Sequence, residues 1–172
     1  MGEDVEHIHE YYSPNDLYNR IIGGLNELGI DPSKVTLDDL QPVDEFHIRG
    51  DAATKELIAL ADFTPDMHIL DVGCGIGGST RRLSHETGCR VTGIDLSDAY
   101  IDTAQRLTQL LDMQDRVAFR AASALALPFD DGSFDGVWSL QMNMNIDDKL
   151  LWLKEIHRVL KPGCRAILYE VC

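Results

Sequence analysis

Four glycines, Gly73, Gly75, Gly77 and Gly78, follow the apolar pair Ile69-Leu70 and then Asp71-Val72, and residues 79–83 read as the opening of a helix. A buried strand, a glycine turn and a helix N-terminus in direct succession form a binding device. Glycines admit positive backbone dihedrals and let a ligand reach the main chain, and the first helical turn offers N–H groups without an intrahelical partner. Asp95, roughly 20 residues past Gly73, ends the next short strand; an acid there accepts hydrogen bonds from both hydroxyls of a ribose in dinucleotide and nucleoside sites, though it could also cap the following helix. Two more polar stretches follow later strands: Ser123-Ala124, and the run from Gln141 through Asn143 to Asn145. Upstream, the loop at residues 41–50 (QPVDEFHIRG) mixes Asp44, Phe46 and His47 and reads either as a linker or as a lid whose Phe46 and His47 face the ligand.

The elements that must position these residues alternate. Ser13 with Pro14 marks a helix start, and apolar residues recur at helical spacing from Leu17 to Leu28. A brief helix at 37–40, the loop at 41–50 and a helix over 51–62 follow. Strands are expected at 68–72, 90–95, 117–121, 136–140 and 166–171, with helices after the glycine loop, over 98–111 and over 147–160. Lys161-Pro162-Gly163 reads as a stop to the last helix. Alternating strands and helices imply an α/β fold, a Rossmann-like, mostly parallel sheet with flanking helices and an N-terminal helical cap. Residues 1–62 form that cap or lid and residues 63–172 the α/β domain. In such sheets ligands bind outside the carboxyl ends of the strands, where strand order reverses, and the glycine loop, Asp95, Ser123-Ala124 and residues 141–145 all fall at such ends.

The chain has 172 residues, 44% hydrophobic and 26% charged, with a formal net charge of −14. So acidic a surface repels phosphate backbones, so no nucleic-acid partner is expected; the closest approach to a basic patch is Arg81-Arg82. No apolar run approaches membrane-spanning length, and no membrane partner is expected. The four cysteines lack C-x-x-C spacing, which suits reduced thiols in a cytoplasmic protein. His7 and His9 could share a strand face, but no third ligand accompanies them, so no metal site is expected.

Gly73-x-Gly75-x-x-Gly78 with Asp95 satisfies the dinucleotide pattern literally, which would suit a nicotinamide dehydrogenase. Three features point elsewhere. Asp71 sets an anion near the loop, suiting a ligand with a cationic end better than a pyrophosphate. The run Leu127-Pro128-Phe129-Asp130-Asp131-Gly132-Ser133-Phe134-Asp135 has no place in a nicotinamide site, and Leu160-Lys161-Pro162-Gly163 precedes the fifth strand. With the loop at 68–82 and Gly93-Ile94-Asp95-Leu96-Ser97, these stretches resemble the class I S-adenosylmethionine-dependent methyltransferases, in order and at normal spacing over about residues 66–172. The 41–50 segment and Met144-Asn145-Ile146 look like the small-molecule branch that includes sarcosine and dimethylglycine methyltransferases.

The resemblance implies S-adenosyl-L-methionine as cofactor and methyl transfer to a small-molecule N, O or C nucleophile. It places Gly73, Cys74 and Gly75 against the methionine part, with Asp71 orienting the loop and the amino group. Asp95 then holds the ribose hydroxyls and Leu96 lies against the adenine. Ser123 and Ala124 stand where the family has Asp-Ala, so one hydrogen bond to the adenine amino group is lost, about 1–3 kcal/mol at most. Gln141 and Asn143 lie by the transferring methyl. Met142 stands where this branch carries a histidine soon after the glutamine; His47 is the best candidate for a base, and reads alternatively as a structural histidine of the lid. The family's fold continues past the fifth strand with a helix and a hairpin, so C-terminal strands are expected to be missing here. The exposed apolar edge at 166–169 is then expected to pair with a second copy or a complementary subunit. A non-catalytic cofactor-binding subunit is the alternative function.

Overall fold

The computed structural model describes residues 16–44 and 47–170. Among them, β1 (His68–Val72), β2 (Arg90–Asp95), β3 (Val117–Ala121), β4 (Phe134–Leu140) and β5 (Leu160–Tyr169) form one sheet. The strand order is β3-β2-β1-β4-β5, and every neighbouring pair is parallel. Helices α1 (Leu17–Glu27), α2 (Leu37–Asp44) and α3 (Gly50–Ala61) precede the sheet, and α4 (Gly78–Thr87), α5 (Asp98–Leu110) and α6 (Lys149–Val159) connect its strands. The order reverses between β1 and β4, which places the crevice at the end of β1.

Alternation along β1 divides the core. Leu70 and Val72 join Val137 and Phe134 beneath Trp152, Ile156 and Val159 of α6. Ile69 faces the other way, with Val91 and Trp138, against Leu83 of α4 and Ala61 of α3. Both faces are buried, as a parallel sheet requires. A further cluster joins Ile21 and Leu25 of α1 and Leu40 of α2 to Leu107 of α5, so the cap helices share a core with the sheet's own helices.

The structure corrects several expectations. The expected cap residue Ser13 lies outside the described residues; Asp16 caps α1, accepting from Asn19 N–H at 3.1 Å. The expected loop at 41–50 is mostly helix at its start, because α2 runs through Pro42 to Asp44. A proline that removes one internal hydrogen bond is tolerated there because Leu40 is fully buried and because ion pairs from α4 hold both ends of this short helix. Phe46 of the expected lid lies outside the described residues. The fifth strand begins at Leu160 rather than 166: Phe134 pairs with Leu160, then Gly136 with Arg165, and the intervening Lys-Pro-Gly segment bulges out with Gly163 at φ +81°.

Arg81-Arg82 is no basic patch. Arg81 is fully buried, and its Nη2 donates to Asp44 Oδ1 at 2.6 Å, while Nη1 donates to the Ile76 carbonyl at 2.9 Å. Arg82 pairs with Asp38 at 2.7 Å and Asp51 at 3.3 Å. Both arginines clamp the cap helices to α4. The described cysteines Cys74, Cys89 and Cys164 are free thiols.

Candidate functional site

The glycine loop is pinned by the backbone of its neighbouring strand. The N–H groups of Gly73 and Cys74 both donate to the Ile94 carbonyl, each at 2.9 Å. Gly73 sits at φ +81° and a side chain there would strike the Met142 sulfur, so the position requires glycine twice over. Asp71 is 1% exposed, and its Oδ2 accepts from Ser79 Oγ at 3.2 Å and Thr80 Oγ1 at 2.6 Å. The carboxylate therefore ties the first turn of α4 to β1 and acts through the loop. At Gly78 the cap comes into contact: an added Cβ would lie 2.2 Å from the Asp44 carbonyl oxygen.

Asp95 joins the ends of β1 and β2. Its Oδ2 accepts from Gly75 N–H at 3.0 Å and its Oδ1 from Ser97 N–H at 2.9 Å. A carboxylate offers about four lone-pair sites, so each oxygen keeps room for a hydroxyl. Gly75 has φ +55° with open space where a side chain would stand. An open main-chain cradle next to a partly accessible acid fits the aminoacyl and ribose ends of S-adenosylmethionine.

A cavity of about 550 Å³ opens beside this cradle, a size typical of small-molecule sites. Gly73, Cys74, Gly75 and Gln141 line its sheet side, and His47, Met144 and Asn145 its mouth. Leu17 and Ile21 from α1 and Val43 from α2 supply apolar lining from the cap, with Asp44 beside them, and Ile76 of the glycine loop adds to it. Burial, with Asp71 and Asp95 nearby, pushes the Cys74 thiol well above its usual range, so it lines the cavity as a neutral group.

Of the residues singled out from sequence, the structure brings His47, Gly73, Cys74, Gly75 and Gln141 to one cavity. Asp95 and Leu96 lie at the end of β2 beside the loop, outside the cavity wall, with Leu96 78% exposed. Ser123 Oγ accepts from Leu125 N–H at 3.2 Å, so this hydroxyl serves its own turn, and the Ala124 side chain is buried in the core. Asn143 presents its N–H to Glu170 Oε2 at 2.8 Å and is not part of the cavity wall. His47 Nδ1 lies 3.3 Å from the Ile48 carbonyl and Nε2 3.0 Å from Thr54 Oγ1. A carbonyl only accepts and a hydroxyl can do either, so the tautomer with the proton on Nδ1 satisfies both contacts. Sequence reasoning missed Leu17, Ile21, Val43 and Tyr100 as cavity lining. Their residue types are ordinary, and no spacing tied them to the glycine loop. Among the described residues no cluster of three His, Cys, Asp or Glu could hold a metal, and no helix is long and apolar enough to cross a membrane.

Residues 70–168 match the family described as the methyltransferase domain. The chain is 33% identical over 135 residues to O-methyltransferase resE of Aspergillus sclerotiorum, covering 78% of this chain and 51% of that one. Among solved structures it is similar to geranyl diphosphate C-methyltransferase from Streptomyces coelicolor, solved with Mg2+, geranyl diphosphate and S-adenosyl-L-homocysteine. The identity is 32% and the TM-score 0.66, over 69% of this chain and 44% of that one. A putative sarcosine dimethylglycine methyltransferase from Galdieria sulphuraria superposes with a TM-score of 0.62 at 26% identity, over 67% of this chain and 44% of that one. The chain spans about half the length of the curated relative it matches. These relatives are named as enzymes, which does not favour the non-catalytic alternative.

Proposed function

The chain belongs to the methyltransferase-domain family, the class I S-adenosylmethionine-dependent enzymes, and from that premise we propose that it transfers a methyl group to an uncharged, largely apolar small-molecule acceptor. The observation that carries this reading is the continuity of one cavity from the glycine cradle at Gly73–Gly75 to the apolar lining of Leu17, Ile21 and Val43. When bound, the cofactor supplies a sulfonium methyl already activated for in-line displacement, with a neutral thioether as the leaving group.

The chain's own residues then have mainly to bind and align. In this reading Gly73, Cys74 and Gly75 receive the aminoacyl end through main-chain atoms and Asp71 keeps the loop in place. Asp95 accepts the ribose hydroxyls, Leu96 covers the adenine, and Ser123-Ala124 border it with main-chain groups. Gln141 orients the acceptor beside the cradle, and Asn143 contributes through the turn it begins. His47 Nε2 takes the proton of a hydroxyl acceptor, exchanging its contact with Thr54 for one with the substrate; an amine or carbanion acceptor needs no base. The free thiols suit a reducing, cytoplasmic setting. β5 is an edge strand among the described residues, with Ala166 and Leu168 exposed, and the proposal includes pairing of that edge with another strand. Light scattering that finds a monomer at every concentration would remove that part.

The test of the whole reading is calorimetric titration with S-adenosylhomocysteine, using Asp95→Ala as control. Micromolar binding that weakens about 10- to 100-fold in the variant supports it, as expected for a lost charge-assisted contact of about 1.5–3 kcal/mol. Absence of binding to the unaltered chain overturns it.

A further inference from the structure

The last two described residues, Tyr169 and Glu170, follow one another at the end of β5; Tyr169 meets His47, which lines the cavity, and Glu170 holds the start of the turn that carries the lining residues Met144 and Asn145. Glu170 Oε1 accepts from Met142 N–H at 3.3 Å and its Oε2 from Asn143 N–H at 2.8 Å. These donors begin the short helical turn Asn143–Asn145, whose start has no side-chain cap of its own. The same turn is tied a second time to β5, because Gln141 N–H donates to the Tyr169 carbonyl at 2.7 Å. Gln141 holds φ +51°, an uncommon left-handed conformation for a residue with a side chain. That geometry persists only where surrounding contacts enforce it. The Tyr169 ring meets the His47 ring edge-on, with centroids 6.5 Å apart.

We propose that Tyr169 and Glu170 form a clasp that sets the width of the acceptor mouth, Glu170 as the positioning residue for the 141–145 turn and Tyr169 as the rest for His47. This role rests on the methyltransferase reading but is carried by contacts independent of it. The turn presents Gln141, Met144 and Asn145 to the cavity and lays the Met142 side chain against Gly73. Glu170 is thereby linked through the turn to the loop that cradles the cofactor. A carboxylate that accepts two successive N–H groups at the start of a turn does the work of a helix cap, delivered from a strand 27 residues away in sequence. Since displacement chemistry depends on sub-ångström alignment of acceptor and donor, a turn held from outside fixes where Gln141 can stand.

The experiment is residue-resolved hydrogen exchange on the unaltered chain, Glu170→Ala and Glu170→Gln, with S-adenosylhomocysteine titration of each. In Glu170→Ala, exchange at the Met142 and Asn143 amides should rise at least 10-fold while β1 and β3 keep their protection. Affinity for S-adenosylhomocysteine should weaken about 3- to 10-fold, as Met142 loses its seat on Gly73. Glu170→Gln keeps one carbonyl acceptor and should fall between the two, which a loss of bulk alone would not produce. Tyr169→Ala should leave the 142–143 amides protected and instead move the His47 ring resonances in NMR spectra, as the edge-on ring contact is lost; unmoved His47 resonances overturn the Tyr169 half of the clasp. Unchanged exchange at Met142 and Asn143 in Glu170→Ala overturns the clasp. If the unaltered chain fails to bind S-adenosylhomocysteine, the functional reading falls, and the exchange data still decide the clasp.

Discussion

On the sheet side, the crevice is made of main chain: Gly73 and Cys74 share the Ile94 carbonyl, Gly75 donates to Asp95, and positive dihedrals shape the turn. On the cap side it is made of side chains, Leu17, Ile21 and Val43, which reach the site only because helices well before β1 fold back over it. The first surface is rigid because it is the continuation of a strand. The second depends on what fastens α1, α2 and α3 to the rest. Besides the apolar clusters they share with α4 and α5, these helices are fastened by Arg81 with Asp44, Arg82 with Asp38 and Asp51, and Arg106 with Asp16 and the Tyr18 ring, 3.8 Å from its guanidinium. A cofactor cradle common to many enzymes is thus combined with a separate wall that can differ between them, which is how one fold hosts many acceptors.

The largest effect expected from breaking the fasteners lies at the buried pair. Arg81→Met removes the guanidinium paired with Asp44, where both side chains are almost fully buried, and should cost about 3–5 kcal/mol in urea unfolding. The double variant with Asp44→Leu should recover most of that loss; if it does not, the pair is more than a matter of charge balance. Next comes Gly78→Ala, whose added methyl meets the backbone carbonyl of Asp44 rather than a yielding side chain. It should cost about 1–3 kcal/mol and expose the cap helices to limited proteolysis before the sheet. Sharper still, Met144→Gln alters a cavity residue that is 63% exposed, so stability should stay within about 0.5 kcal/mol. Affinity for S-adenosylhomocysteine should stay within about twofold, while the pattern of accepted methyl acceptors changes. A loss of cofactor affinity there would dissolve the distinction between the two halves.

The smallest effect is on acid stability, and it belongs to the sheet side. Hydrogen bonds from Arg158 hold the Glu155 carboxyl below its ordinary range, and Lys161, then the His68 N–H, do the same for Asp135. These groups bind protons less readily folded than unfolded. Their contribution is complete above the ordinary carboxylate values and is lost as pH falls through the folded ones. His68 is also depressed, chiefly by burial, so a separate loss begins as pH falls below the ordinary histidine value of 6.5. Glu155→Gln should flatten only the lower limb of a stability-versus-pH curve read by thermal unfolding.

Much of the sheet side was legible beforehand. The expected strands at 90–95 and 117–121 coincide with β2 and β3, and the helix expected at 98–111 with α5 to within a residue. Period-two burial and turn residues are local signals. The misses have a common cause. Lys161-Pro162-Gly163 carries the chemistry of a stop signal, yet β5 begins before it, because pairing with Phe134 holds Leu160 in the sheet and the turn residues bulge outward. The segment 41–50 read as a loop, yet burial of Leu40 and ion pairs from α4 carry the helix through Pro42 to Asp44. The pairing of Arg81 could not be read beforehand, because nothing adjacent in sequence shows a carboxylate 37 positions away.

The sequence by itself determined the cradle: glycines that permit positive dihedrals, an acid at a strand end, and a strand-turn-helix order that puts open N–H groups beside both. Those properties are written into the local backbone preferences of a few contiguous residues. Only the tertiary structure decided the cap side of the cavity, where Leu17 and Ile21 of α1 and Val43 of α2 are brought against the glycine loop about 30 or more residues later. Ordinary side chains acquire a role there through long-range packing and pairing, which no local preference encodes.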